Sequence, residues 1–115
     1  MLNHSIKQIK KLGSNLVIID ENVSKINPYL LEKLSFIPNY ILLNPGEKTK
    51  TLKGVCDLLS KIEDMNIYPL NHVTIIGGAT IQDTCGTALS LLKRGVDWTY
   101  IPTTCLLYTS DAADE

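Results

Sequence analysis

The amino-acid sequence predicts one α/β domain, doubly wound around a mostly parallel sheet. Short apolar runs, most of them rich in β-branched residues, occur at 15–20, 40–44, 72–76 and 97–102, and amphipathic segments with helical spacing separate them. The chain of 115 residues suits one small domain with its own core. We therefore expect four strands that alternate with helices.

Composition and charge narrow the possible functions. A net charge of −1 with scattered lysines provides no basic surface for nucleic acid, and no apolar run reaches the ~20 residues of a membrane span. The N-terminus lacks the apolar run of a signal peptide, so a cytoplasmic protein without nucleic-acid or membrane partners is expected. The 3 cysteines have no C-x-x-C spacing, which argues against disulfides or a zinc cluster, and Cys56 and Cys85 are expected in the core.

The first predicted strand follows residues 1–13, whose apolar spacing fits a marginal helix or a frayed arm. Asp20 ends this strand, and Asn22 comes directly afterwards. Ligands of open α/β sheets lie at the carboxyl ends of strands, where these two side chains could hydrogen-bond a ribose or a base. Capping of the next helix, predicted within 23–34 and begun or interrupted by Pro28, is the favoured alternative.

The second predicted strand ends in the turn sequence PGEKTK, residues 45–50. In this turn Glu47 could bind a ribose hydroxyl and a lysine, Lys48 or Lys50, could bind a phosphate, although solvated loop charges are the simpler alternative. An amphipathic helix is predicted over 51–65, and the third strand follows it. His72 begins that strand, far from the ligand edge, and is expected to be a surface or edge residue rather than a metal ligand.

Two glycines, Gly77 and Gly78, separate the third strand from another amphipathic helix. Because they lack Cβ, they permit a positive φ and a close approach of a ligand, and the N-terminus of the next helix attracts a phosphate. A short strand-to-helix connection that needs glycine for its own sake is the alternative. That helix carries Asp83 and closes at residues 93–95, after which the fourth strand brings Thr103 and Thr104 to the same edge.

Taken together, these polar sets resemble the N-terminal domain of the 3-dehydroquinate synthase family, the sugar phosphate cyclases. Five motifs occur in the family's order and cover roughly residues 15–104. They are D-x-N at 20–22, PGEKxKxL at 45–52, a glycine turn followed by Asp at 77–83, an RG segment at 93–98 and P-T-T at 102–104.

The resemblance implies a Rossmann-like NAD-binding domain at residues 1–104, with the helical metal domain of the parent missing. Family members use NAD to oxidise an alcohol, eliminate phosphate, return the hydride and close a carbocycle, while zinc or cobalt polarises the oxidised oxygen. The full-length parent would be a homodimeric lyase that acts on a small sugar phosphate in the shikimate pathway or in related cyclitol synthesis. The metal ligands and catalytic lysines would lie in the missing part, so the fragment itself is expected to be inactive.

The resemblance also assigns roles to single residues. Asp83 would be catalytic, beside the nicotinamide end of NAD and the reacting sugar. The residues implied to bind NAD are Asp20, Asn22, Glu47, Lys50, Gly77, Gly78, Ala79, Asp83, Thr103 and Thr104.

The chain departs from the family pattern in the glycine turn. Ala79 and Gln82 stand where the family most often has glycine, so a substrate other than the dehydroquinate precursor stays open. Two alternative functions also stay open: a fragment of a metal-dependent polyol or glycerol-phosphate dehydrogenase, and a nucleotide-binding module without catalysis.

The pattern also breaks at the C-terminus. Residues 105–115, CLLYTSDAADE, have no helical or strand periodicity. They can be back-translated into a sequence that resembles a transposase sequencing adapter read in frame. We therefore expect this segment to be foreign to the gene and exclude it from the domain.

Overall fold

The structure is a computed structural model that describes residues 2–46, 51–67, 69–92 and 96–103, with side chains described from Ile6 onward. The four predicted strands and the helices between them are present. In chain order the elements are helix α1 (Leu2–Lys11), strand β1 (Leu16–Asp20), helices α2 (Glu21–Ile26) and α3 (Tyr29–Lys33), strand β2 (Tyr40–Leu43), helix α4 (Leu52–Asp64), strand β3 (His72–Gly77), helix α5 (Ala79–Ser90) and strand β4 (Asp97–Pro102).

The strands form one sheet in the order β2-β1-β3-β4, and every neighbouring pair is parallel. The chain moves from β1 to β2 on one side and then returns to place β3 on the other side of β1. At such a reversal of strand order, the loops that follow the two central strands diverge and leave a crevice. Ile19 pairs with Ile76, so Asp20 and Gly77 end β1 and β3 at the same level beside this crevice.

Apolar layers cover both faces of the sheet, as a doubly wound fold requires. All residues of β1 are buried, and they alternate between the two layers: Leu16 and Ile18 pack with α4 and α5, whereas Val17 and Ile19 pack with the first three helices. Continuous burial of this kind is typical of a central parallel strand. The predicted fold class is therefore confirmed.

On the second face, the structure decides between alternatives that the sequence left open. The N-terminal segment is a regular helix that buries Ile6 and Ile9, and not a frayed arm. The helical segment predicted within 23–34 is interrupted at Pro28, which was one of the two expected outcomes, and the chain forms α2 and α3 with Asn27 and Pro28 between them. A residue before proline is disfavoured in the helical region, and Asn27 accordingly has φ −125° and ψ 83°.

Helix α4 corrects one prediction, the burial of Cys56. Thr51 caps it, since its hydroxyl accepts the N–H of Gly54 at 3.1 Å, and the buried stripe begins one turn later. Cys56 lies one position past the buried Val55 and is exposed, so its predicted place in the core is wrong. Cys85 of α5 is fully buried, as predicted.

No helix within the described ranges has the length and apolar character needed to cross a membrane.

Candidate functional site

The two glycines of the turn between β3 and α5 differ in the space that surrounds them. A Cβ on Gly77 would lie 2.9 Å from Cβ of Ile81, so the helix can pack against the end of the strand only when this side chain is missing. A Cβ on Gly78 would have no heavy atom within 4 Å. Neither glycine uses the positive φ that the sequence permits: Gly78 has φ −90°, and the described glycine with positive φ is Gly13. The space beside Gly78 is therefore open, although the backbone there would accept any residue.

Helix α5 begins at this open space without a side-chain cap. Gly78 is its N-cap, and the Gly78 carbonyl accepts the N–H of Gln82 at 3.0 Å. The first N–H groups of a helix have no partner within the helix and attract anions through the helix dipole. Because glycine offers no capping oxygen, these donors at the end of β3 are accessible to a phosphate.

Asp20 reaches the same edge of the sheet from β1. Its Oδ1 accepts the N–H of Asn22 at 2.8 Å, so it caps α2, as the favoured interpretation predicted. Asp20 is nevertheless only 8% exposed at the end of a buried strand, whereas the Asn22 side chain is exposed. The structure thus holds one carboxylate in a fixed orientation beside the crevice.

Asp83 and Thr103 lie in different surroundings. Asp83 is exposed on α5, and its i, i+4 spacing from Ala79 places both on the same face of the helix. Thr103 follows β4, and its Oγ1 is buried without a hydrogen-bond partner. Such an atom costs free energy unless a partner is supplied, which makes Thr103 a candidate contact for a polar ligand.

The remaining predicted site residues, Glu47, Lys50 and Thr104, lie outside the described residues, as does Lys48. Within the described part of the chain, no group of three or more His, Cys, Asp or Glu side chains could hold a metal ion. His72 is half-buried at the start of β3, where its Nε2 lies 3.0 Å from Oγ1 of Thr99. This histidine therefore takes part in the hydrogen bonding between β3 and β4. It lies at the N-terminal end of β3, whereas the crevice lies at the C-terminal end.

Sequence reasoning missed one residue at the glycine turn. The Tyr100 hydroxyl donates a hydrogen bond of 2.7 Å to the carbonyl oxygen of Gly77. The period-2 pattern of a strand places Tyr100 on the same side as Pro102, which pairs with Gly77. That register depends on the pairing of β3 with β4, and the sequence alone does not give it.

Sheet order, the crevice between β1 and β3 and the glycine turn define the class of this chain as a Rossmann-like, doubly wound α/β domain. A family model described as 3-dehydroquinate synthase N-terminal matches residues 40–113. The chain belongs to the 3-dehydroquinate synthase family.

Curated relatives in this family are similar over most of the chain. It is 33% identical to the 3-dehydroquinate synthase of Picrophilus torridus over 94 residues, which cover 82% of the chain and 26% of the relative. It is 34% identical to that of Saccharolobus solfataricus over 107 residues, which cover 89% of the chain and 29% of the relative. The chain thus spans less than a third of the length of these enzymes.

Two solved structures share the fold. 2-Deoxy-scyllo-inosose synthase, complexed with carbaglucose-6-phosphate, NAD+ and Co2+, superposes with a TM-score of 0.62 at 24% identity over 76% of this chain and 25% of its own. 2-epi-5-epi-Valiolone synthase from Streptomyces hygroscopicus, with NAD+ and Zn2+ bound, gives 0.64 at 21% identity over 76% of this chain and 26% of its own. At these identities the likeness shows the fold alone.

Proposed function

We propose that this chain is the NAD-binding part of a sugar phosphate cyclase of the 3-dehydroquinate synthase type. The observation that carries the proposal is the open space beside Gly78, at the uncapped N-terminus of α5 and next to the reversal of strand order. A dinucleotide needs a site of this kind, because its pyrophosphate must approach backbone N–H groups closely. The family membership and the NAD named for both solved structures support the same assignment.

The residues that the structure describes at this edge suit different parts of NAD. Gly78 and Ala79 would bind the pyrophosphate through backbone N–H groups and the helix dipole. Asp20 would accept a ribose hydroxyl with the carboxylate oxygen that does not cap α2. Thr103 Oγ1 would gain the hydrogen-bond partner that it lacks. Asn22 and the predicted residues outside the described ranges complete the proposed contact set.

NAD, when bound, supplies the reversible removal of hydride from the alcohol that is to be activated. The work of this chain is to bind and orient the dinucleotide at the crevice. Asp83 is exposed on the face of α5 shared with Ala79, so we assign it to the nicotinamide end and to the reacting sugar. The described residues do not provide a donor set for zinc or cobalt, and no step is assigned to a metal on this chain.

For the parent enzyme, we propose a sugar phosphate substrate from which phosphate is eliminated before ring closure. The proposal follows the names of the relatives, which are 3-dehydroquinate synthases, and the carbaglucose-6-phosphate in one solved structure. Ala79 and Gln82 depart from the usual glycines, so a cyclitol precursor is as admissible as the shikimate-pathway substrate. For the parent enzyme, we also propose zinc or cobalt as the metal and a homodimeric assembly.

The test is a calorimetric titration of the 115-residue chain with NAD. The wild type should bind, and Gly78→Val should bind far more weakly, because its side chain would occupy the space of the pyrophosphate. Ser90→Val, an exposed change at the other end of α5, serves as the control and should bind like the wild type. Equal affinity of Gly78→Val and wild type would exclude the turn as the site, and no binding by the wild type would refute the proposal for this chain.

A further inference from the structure

Tyr100 lies in strand β4, yet it makes a polar contact with the turn that follows strand β3. It pairs with Ile75 in the sheet, and its side chain extends along the strand so that its hydroxyl reaches the carbonyl oxygen of Gly77 at 2.7 Å. The hydrogen bond is partly buried, where water competes less well for the carbonyl. It therefore restrains the backbone at the point where β3 ends.

The restraint on the Gly77 carbonyl extends to Gly78, because Gly77 and Gly78 share one peptide unit. The carbonyl of Gly77 and the N–H of Gly78 lie in one plane and point in opposite directions in a trans peptide. Fixing the carbonyl toward Tyr100 therefore fixes the direction of the Gly78 N–H, directly beside the open space at the start of α5.

We infer that Tyr100 is a positioning residue for the dinucleotide site: it orients the Gly77–Gly78 peptide without contacting the ligand. The inference rests on the proposed function for its effect on NAD. A flexible peptide would have to be ordered when the pyrophosphate binds, and loss of the restraint should weaken binding about threefold to tenfold, the range of one ordinary hydrogen bond.

The experiment uses the isotopically labelled 115-residue chain and compares wild type with Tyr100→Phe. Two quantities are measured: the NMR signals of the Gly77 carbonyl carbon and the Gly78 amide, and the affinity for NAD. Tyr100→Phe should shift both NMR signals without NAD and should weaken NAD binding.

Two control variants separate positioning from stability. Tyr40→Phe removes the same hydroxyl from an exposed tyrosine at the start of β2, and Ile62→Val loosens the buried core under α4. Neither control should shift the Gly77 and Gly78 signals or change the affinity for NAD in the folded chain. If Ile62→Val weakens NAD binding as much as Tyr100→Phe does, the effect is one of stability and the inference is overturned.

The two proposals fail in different ways. Absence of NAD binding by the wild type refutes the proposed function, while the NMR signals still decide whether Tyr100 orients the peptide. Unchanged Gly77 and Gly78 signals in Tyr100→Phe overturn the inference whether or not NAD binds. Shifted signals with undiminished NAD affinity in Tyr100→Phe also overturn it, because the restraint would then have no effect on the site.

Discussion

Gly77 and Ile81 are so close that a methyl group on Gly77 would lie 2.9 Å from Cβ of Ile81 and about as close to both of its γ-carbons. Ile81 is fully buried and anchors the first turns of α5 in the core. The approach of the helix to the end of β3 thus depends on the missing Cβ of Gly77. The next residue, Gly78, has no such neighbour.

This contrast predicts effects of different size for the same substitution at adjacent positions. Gly77→Ala should lower the free energy of unfolding by about 1–3 kcal/mol, because the backbone or Ile81 must shift to relieve the overlap. Gly78→Ala should change stability by less than about 1 kcal/mol, since its φ of −90° suits alanine, while alanine is a poorer N-cap than glycine. Urea unfolding of both variants measures the difference, and equal destabilisation would contradict the assigned roles.

A buried polar pair between the start of the sheet and its centre provides a second prediction. The hydroxyls of Ser14 and Thr74 lie 2.7 Å apart and are buried. Thr74→Val should cost about 1–3 kcal/mol, because it leaves the Ser14 hydroxyl without its partner. The double variant Ser14→Ala/Thr74→Val should lose less than the sum of the single variants. Additive losses in a double-mutant cycle would show that the pair is not coupled.

The thiol of Cys85 predicts how stability depends on pH. Burial raises its pKa from the usual value of 9.0 to about 12. Above pH ~9 the unfolded chain loses this proton while the folded chain keeps it, so stability falls as pH rises, by up to about 1.4 kcal/mol per pH unit from this group. Below that range the group contributes no pH dependence.

The measurement for Cys85 is urea unfolding from about pH 8 to about pH 10.5, where the shift of this pKa acts. Cys85→Ala should show a shallower loss of stability with pH than the wild type, whatever its stability at neutral pH. Ser90→Val, an exposed change that involves no titratable group, should keep the wild-type slope. Identical slopes in Cys85→Ala and wild type would contradict the assignment.

We expect the 115-residue chain to catalyse no phosphate release from a sugar phosphate, even with NAD and zinc or cobalt added. Its described residues contain no cluster of three or more His, Cys, Asp or Glu side chains that could hold a metal ion, and binding of the dinucleotide alone does not stabilise a transition state. A phosphate-release assay on the purified chain tests this. Metal-dependent turnover above the buffer rate, abolished by Asp83→Asn, would show that the catalytic groups are placed wrongly.

The last prediction concerns residues 105–115, which we propose to be derived from a sequencing adapter. The family match extends to residue 113 and so includes most of this segment, which makes the underlying DNA the deciding measurement. An independent long read of the locus should replace the segment with a leucine-rich continuation that runs into G-G-K. The same eleven residues followed by a natural stop codon in that read would refute the proposal.

Much of the fold could be predicted from the sequence, because the strands are short, apolar and β-branched and their ends carry turn residues. Pro28 indicated that the helix would begin or break near this residue. Which of the two occurs depended on whether Asn27 leaves the helical region of backbone conformation, and the sequence does not decide this. The exposure of Cys56 was missed because one helical position separates it from Val55, and the packing against the sheet decides which of the two is buried.

The candidate site was predictable in its location but not in its internal geometry. The glycine pair predicted an open turn, whereas the different roles of Gly77 and Gly78 depend on the position of Ile81 in three dimensions. Likewise, the contact of Tyr100 depends on the pairing of β3 with β4, which periodicity does not specify.

The sheet order has one more consequence, for the behaviour of the chain at high concentration. β4 is the last strand of the order β2-β1-β3-β4, so one of its sides has no partner strand within the described ranges. Its side chains from Asp97 to Pro102 are all exposed or half-buried, and Trp98 is 36% exposed. An open strand edge with apolar side chains is a template for pairing with a strand of another molecule. Self-association of the isolated chain should therefore begin along β4. Pro102 has no N–H to donate at the end of this strand, but the five residues before it contain no proline.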